Sequence, residues 1–281
     1  MATFRAADGT ELAYRVTGSG APVICVPGGP MRASAYLGDL GDLSARNQLV
    51  MLDLRGTGQS ATPDDPASYR CDRLSGDVEA LADHLGLDTF RLLGHSAGAS
   101  IAMQYAAAHP HRVSHLALIG PSTRAVGLYP SAEARREAMS LRQDEPWFQE
   151  GVAAFARIQD SGGTEDDWES LNPFFYGRWD AAAQAHAAAG PEQTNEAAAE
   201  QFIAEGAFDP AATRAALAEF SAPVLLLGGA VDLNTMPSIM TELAAMFRGP
   251  QLVIQPGAGH YPWMDDAGAF TATVSEFLNG S

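Results

Sequence analysis

The chain contains no lysine: all 17 basic residues are arginine, set against 34 acidic residues and a formal net charge of −17. That balance repels nucleic acid and anionic membrane surfaces, so neither is an expected partner. Without lysine there is no Walker-type phosphate loop. A G-x-G-x-x-G opening a helix and an H-E-x-x-H are missing as well, so no cofactor and no metal is implied. Cysteine is scarce. Cys25 lies in an apolar run and Cys71 in a polar loop or helix start, without metal-ligand spacing, and two reduced thiols are expected. No window holds 18 consecutive apolar residues, which argues against a membrane span. Met1 to Arg15 lacks a positive stretch followed by an apolar one, so no secretory signal is read and a cytoplasmic location is expected.

What is present is a 46% apolar chain of 281 residues, enough for one large α/β domain or a core with an inserted subdomain. Thr3–Ala6 and Leu12–Thr17 flank the turn signal Asp8-Gly9-Thr10 and read as a hairpin. Short apolar runs follow at Pro22–Val26, Gln48–Leu52, Phe90–Leu93 and Val113–Ile119, and again at Pro223–Leu227 and Gln251–Ile254. Helical patterns alternate with them, including one near Val78, Leu81 and Leu85 that Asp72 or Ser75 would cap, and one over Ala267–Leu278. Eight strands with this alternation predict a mostly parallel sheet with helices on both faces. From 122 to 220 the pattern changes to Ala-rich helical runs. This stretch holds 17 acidic and 7 basic residues and three of the four tryptophans. It is expected to form a helical lid, with 1–121 and 221–281 as the core.

The densest chemical signal is Gly94-His95-Ser96-Ala97-Gly98, between an apolar strand and an Ala-rich helix. In that setting a G-x-S-x-G serine sits on a sharp strand-to-helix turn, with small residues where backbones approach, and becomes a nucleophile. A serine hydroxyl needs a base, and the base needs an orienting acid. Asp232 and His260 follow predicted strands, in the chain order Ser…Asp…His that accompanies such a turn. C-terminal strand ends of a parallel sheet converge on one edge, so the three are expected to meet. His84 and His186 sit on predicted helices, His109, His111 and His115 cluster at the far end of the nucleophile helix, and His95 is expected at most to wall the site. Asp209, Asp265 and Asp266 follow no strand.

An oxyanion requires preorganised donors. The amide of Ala97 is one candidate. The loop Pro27-Gly28-Gly29-Pro30 offers Gly29 as the second, since Pro30 has no N–H. Candidate substrate contacts are Gly28, the aromatics Trp147, Phe174, Phe175, Tyr176 and Trp179, and Tyr261 and Trp263 beside the histidine. The run Asp53 to Ser60 reads as a loop folded around an internal Arg55–Asp53 interaction rather than as a catalytic pair.

With these residues in hand the chain resembles the α/β-hydrolases over nearly its whole length, and among them the proline iminopeptidase-like hydrolases with a helical cap. Asp53-Leu54-Arg55-Gly56-Thr57-Gly58-Gln59-Ser60 follows that group's D-x-R-G-x-G-x-S segment. Pro27-Gly28-Gly29-Pro30-Met31 lines up with its H-G-G-P-G loop, with Pro27 and Met31 departing from it. The nucleophile turn departs too: G-H-S-A-G stands where the group usually has G-G-S-W-G. The group's cap supplies acids that hold a peptide's free amino terminus, which brings Glu165-Asp166-Asp167-Trp168-Glu169 into view, with Trp168 and Glu169 as candidate contacts. The resemblance implies the α/β-hydrolase fold and a serine hydrolase acting on a small molecule or short peptide: an ester, amide or lactone, or an aminopeptidase substrate. The same triad also serves C–C bond hydrolysis, cofactor-free perhydrolase or haloperoxidase chemistry and natural-product tailoring. A small-ligand receptor on the same scaffold is the reading from another class. Ser96 argues against dehalogenases and epoxide hydrolases, which need a carboxylate there.

Overall fold

A computed structural model describes residues 1–280. The strands are β1 Ala2–Arg5, β2 Glu11–Thr17, β3 Pro22–Val26, β4 Gln48–Leu52, β5 Phe90–His95, β6 Val113–Ile119, β7 Val224–Gly229 and β8 Gln251–Gln255. They form one sheet in the order β1-β2-β4-β3-β5-β6-β7-β8. β2 runs antiparallel to β1 and β4, and every other pairing is parallel. Two helices accompany the first half, α1 Cys71–His84 and α2 Ala97–Ala108. Between β6 and β7 there are only helices: α3 Ala132–Ser140, α4 Phe148–Ser161, α5 Glu165–Leu171, α6 Ala181–Ala188, α7 Gly190–Gln193, α8 Glu196–Phe202 and α9 Pro210–Glu219, with short 3-10 turns. α10 Pro237–Ala244, α11 Pro262–Asp265 and α12 Ala267–Asn279 complete the chain.

The central strands are mostly apolar and largely buried because both faces are covered. Successive side chains point to opposite faces. Ile24, Val50, Leu92, Leu118 and Leu226 join one core cluster with Val78 and Leu81 of α1 and Ile101 of α2. Cys25, Met51, Leu93 and Leu227 join a second with Phe270, Val274 and Leu278 of α12. The segment between β6 and β7 has its own apolar cluster, in which Phe155, Leu171 and Phe174 meet Leu233 of the sheet-edge loop. No helix among the described residues is long and apolar enough to cross a membrane.

Two local expectations change, and the acidic run proves helical. α1 is capped by neither Asp72 nor Ser75. Its N-cap is Arg70, without a side-chain cap, and Asp72 in the first turn instead accepts two bonds from the Arg70 guanidinium, both 2.9 Å. α5 falls on the acidic run, started by a capping box in which Thr164 and Asp167 bond each other's amides. Arg55 does not pair with Asp53. It pairs with the buried Asp77 through two bonds and with Asp8 at 2.6 Å. Asp53 instead accepts from the amide and hydroxyl of Ser34 (2.9 and 2.7 Å) and from the Gln59 amide (3.0 Å). The guanidinium reaches the carboxylates on the far side of its own loop, and Asp53 is left to brace the loop after β3.

Candidate active site

The parallel strands bring the ends of β3, β5, β6, β7 and β8 to one edge, and hydrogen bonds continue the ladder past them. The Ser96 amide donates to Ile119 (3.0 Å), that of Gly120 to Leu227 (2.8 Å) and that of Val231 to Ala258 (3.0 Å). Ser96 stands between β5 and α2 at φ 53°, ψ −121°, a region that non-glycine residues rarely occupy. The turn closes only because its neighbours are small. A Cβ on Gly98 would lie 2.3 Å from the Val26 carbonyl oxygen, and one on Gly28 would lie 2.7 Å from Ser96 Cβ.

His260 follows β8. Its Nδ1 meets Asp232 Oδ2 at 2.9 Å, and Asp232, fully buried, accepts through Oδ1 from the Asn234 amide at 2.7 Å. With the Nδ1 proton directed to the carboxylate, Nε2 is the acceptor, and Asn234 Nδ2 donates to it at 3.3 Å. The His260 amide is fixed to the Phe175 carbonyl at 2.7 Å. The other acids are engaged elsewhere: Asp209 and Asp266 cap α9 and α12, and Asp265 accepts from the Gly177, Arg178 and Gly259 amides. His84 bonds Tyr14, His109 stacks on Tyr105, and His186 contacts Tyr176 and the Tyr36 carbonyl.

His95 has a larger part than a wall residue. The Gly28 amide donates to Tyr36 Oη (2.7 Å), whose hydroxyl donates to His95 Nδ1 (2.6 Å). His95 Nε2 lies 2.9 Å from the His260 carbonyl. A carbonyl only accepts, so Nε2 carries the proton and Nδ1 takes the tyrosine's. Burial, and then the neighbouring His260, hold the His95 pKa well below its ordinary value, so the ring stays neutral. One chain of bonds therefore joins the loop after β3, the serine turn and the histidine loop. Gly28 is thereby removed from the substrate contacts: its amide is taken, and it packs against Ser96. The amides of Gly29 and Ala97 donate no hydrogen bond among the described residues.

A cavity of about 290 Å³ opens at this edge, lined by Ser96, His260, Gly29, His95 and Asn234 from the core and by Asn172 and Phe175 from the helical segment. Arg32, Tyr36 and Tyr261 complete its polar wall, with Gly190 and Thr194 opposite. A second chamber of about 870 Å³ shares Arg32, Asn172, Phe175, Gly190 and Tyr261 with it. Trp168, Glu169, Tyr176 and Trp179 line this outer space, beside Glu165 and Glu196. Besides Gly28, three expected aromatic contacts reach neither chamber. Trp147 packs edge-on against Phe174 (4.7 Å) under the Arg142 guanidinium, and Phe174 is buried in the helical cluster. Trp263 is buried between His95 (4.8 Å) and Phe270 (5.8 Å). Their size was better spent on packing than on a ligand. Arg32, Tyr36, Asn172, Gly190, Thr194 and Asn234 were not expected. Only Asn234, two residues from Asp232, and Arg32, directly behind the Gly-rich loop, stood close to a recognised motif.

Sheet order, strained serine turn and shared cavity are those of a hydrolase-type enzyme. The chain belongs to the alpha/beta hydrolase fold family, whose model matches residues 21–267. It is similar to the proline iminopeptidase of Lactobacillus helveticus, 25% identical over 288 residues and covering 96% of this chain and 95% of the relative. Among solved structures it is similar to an esterase from Rhodococcus sp. ECU1013 (TM-score 0.71, 27% identical, 99% of this chain and 98% of that one). The proline iminopeptidase of Mycobacterium smegmatis shares the fold (TM-score 0.77, 22% identical, 99% and 97% covered).

Proposed function

We propose that this hydrolase cleaves a small ester, lactone or amide through an acyl-enzyme on Ser96, beneath a helical cap formed by residues 122–220 on a core of 1–121 and 221–281. The observation that carries the reading is the contact of His260 with the buried Asp232 beside a cavity that both His260 and Ser96 line. Nδ1 lies 2.9 Å from Asp232 Oδ2, and a proton directed there leaves Nε2 as the acceptor, on a ring that lines the cavity together with Ser96. Substrate binding brings Ser96 Oγ onto Nε2 in place of the Asn234 amide, since such contacts tighten in the reactive complex. Ser96 Oγ attacks the acyl carbon as Nε2 takes its proton, and Asp232 stabilises the imidazolium. The N–H groups of Gly29 and Ala97 hold the oxyanion; a single donor of this kind is worth about 2.7–4 kcal/mol. His260 then protonates the leaving group, and water, deprotonated by His260, releases the acid and frees Ser96. The inner cavity of about 290 Å³ suits a short acyl group.

A second reading, an aminopeptidase, is favoured by one observation: Glu165, Glu169 and Glu196 line the outer chamber, where they would attract an ammonium group. A fluorophosphonate probe tests the nucleophile. Labelling of wild type and none of Ser96→Ala is expected; equal labelling, or equal turnover of acyl substrates by both, refutes Ser96. Aminoacyl amides, proline included, run beside p-nitrophenyl esters of increasing chain length then separate the two readings.

A further inference from the structure

Arg32 follows the Gly29-Pro30-Met31 bend, and the chain around it is clamped to the helical segment. It forms an isolated antiparallel bridge with Thr194, the Ala33 amide donates to Gln193 (2.8 Å), and the Asn195 amide donates to Met31 (3.0 Å). The side chain is only 6% exposed yet lines both chambers. Its Nε donates to Gln193 Oε1 and its Nη2 to the His186 carbonyl, both at 2.9 Å, and the guanidinium lies 4.6 Å from the Tyr36 ring centroid. None of these partners is anionic. Among the described residues no carboxylate lies within ion-pair distance of Arg32, whereas eight other arginines make eleven such contacts. The nearby titratable rings do not substitute. Burial pushes the Tyr36, Tyr176 and Tyr261 phenols up, and burial together with the Arg32 charge pushes His186 down to about 4, so all four are neutral near pH 7. Among the described residues the only further polar side chain that meets the guanidinium is the phenol of Tyr261, which is neutral as well.

A buried charge without a counter-charge is costly unless a ligand supplies one. We infer that Arg32 receives an anionic group of the substrate: the preferred substrates are esters, lactones or amides that carry a carboxylate near the scissile bond. A guanidinium holds a carboxylate by paired N–H donors. The acids of the outer chamber, Glu165, Glu169 and Glu196, are exposed and screened by water, whereas Arg32 acts from within the wall. The inference rests on acyl transfer at Ser96 for its substrate class, but the anion site can be measured without turnover.

Matched methyl esters isolate the charge: monomethyl succinate against methyl butyrate, and monomethyl glutarate against methyl valerate, followed by pH-stat. Wild type should favour the acidic member in kcat/KM, and Arg32→Gln should lower the acidic-to-neutral ratio by about 30-fold or more, the loss that follows from removing one partner of a desolvated charge pair. Arg32→Lys, which keeps the charge and loses the fork, should retain part of the preference. A neutral preference in wild type, or the same ratio in Arg32→Gln, overturns the assignment. Calorimetric binding of glutarate to wild type and to Arg32→Gln gives the independent reading. Binding that Arg32→Gln abolishes upholds the anion site even if no ester turns over, in which case the acyl-transfer reading falls instead. No difference between the two proteins sinks the anion site while leaving Ser96 untouched.

Discussion

Tyr36→Phe removes a single oxygen from the middle of the bond chain that joins Gly28, His95 and His260. Tyr36 is 5% exposed and His95 1%. The substitution deletes two short bonds, 2.7 Å from the Gly28 amide and 2.6 Å to His95 Nδ1. The ring itself stays in its slot beside Arg32, Tyr261 and Trp263, so little apolar packing is lost. What remains is one unpaired donor and one unpaired acceptor in a poorly solvated place. At about 1–2 kcal/mol for each group left without a partner, the variant should lose about 2–4 kcal/mol of stability. Urea unfolding at pH 7.5 reads this as a lower midpoint at an unchanged slope, and heating as a drop of roughly 4–10 °C. Activity should fall as well, because the freed Gly28 amide no longer anchors the loop that carries Gly29. A Tyr36→Phe protein within about 0.5 kcal/mol of wild type, the ordinary range for a neutral substitution, and with unchanged kcat/KM would show that the chain of bonds holds nothing in place.

Two further outcomes follow from buried charges. Arg55→Leu strands Asp77, which is 1% exposed, and should cost about 3–5 kcal/mol in urea unfolding, whereas Asp8→Ala, whose carboxylate is 45% exposed, should cost no more than about 1 kcal/mol. Similar losses in the two would refute the split between the buried and the exposed partner. His95 and His186 are both held neutral chiefly by burial, His186 with a pKa near 4 against an ordinary 6.5. Below pH 6.5 the unfolded chain takes up protons that these folded rings refuse. Stability is therefore unaffected by them above pH 6.5 and declines as the pH falls, for His186 until about pH 4. The slope is at most about 1.4 kcal/mol per pH unit for each ring. His186→Gln should flatten the wild-type decline between pH 6.5 and 4, and an identical slope would count against a neutral His186.

How far the chain could be read depended on the distance over which each feature is built. The serine turn occupies five adjacent residues, and its physical demand, small side chains where β5 meets α2, is written in those same residues. Asp232 and His260 could be sought because parallel strands deliver their C-terminal ends to one edge, a consequence of topology and not of any particular contact. Arg55 defeated this kind of reading. Its partners Asp8 and Asp77 come from the hairpin turn and from α1, while the nearest carboxylate in sequence, Asp53, turned to Ser34 and Gln59. The large aromatics failed for a related reason. Sequence puts Trp147 in the helical segment and Trp263 beside the histidine, but which side of each faces a void depends on how the elements pack.

The wall of the cavity is the limiting case. Arg32 comes from the loop after β3, Asn172 and Phe175 from the turn after α5, Gly190 and Thr194 from around α7, and Tyr261 from the approach to α11. No two of these segments are neighbours in sequence, except that Tyr261 adjoins His260, and none carries a spacing that marks it. The chemistry of attack needs a fixed set of atoms on rigid strand ends, so it leaves a local signature. Substrate choice needs only that some segment of the helical insertion and some loop of the core close on the same space. The buried charge of Arg32 escapes that anonymity, because an arginine enclosed in the protein without a carboxylate is physically anomalous, whereas an exposed one is not. The anomaly becomes visible only once the fold has shown that no acid comes near.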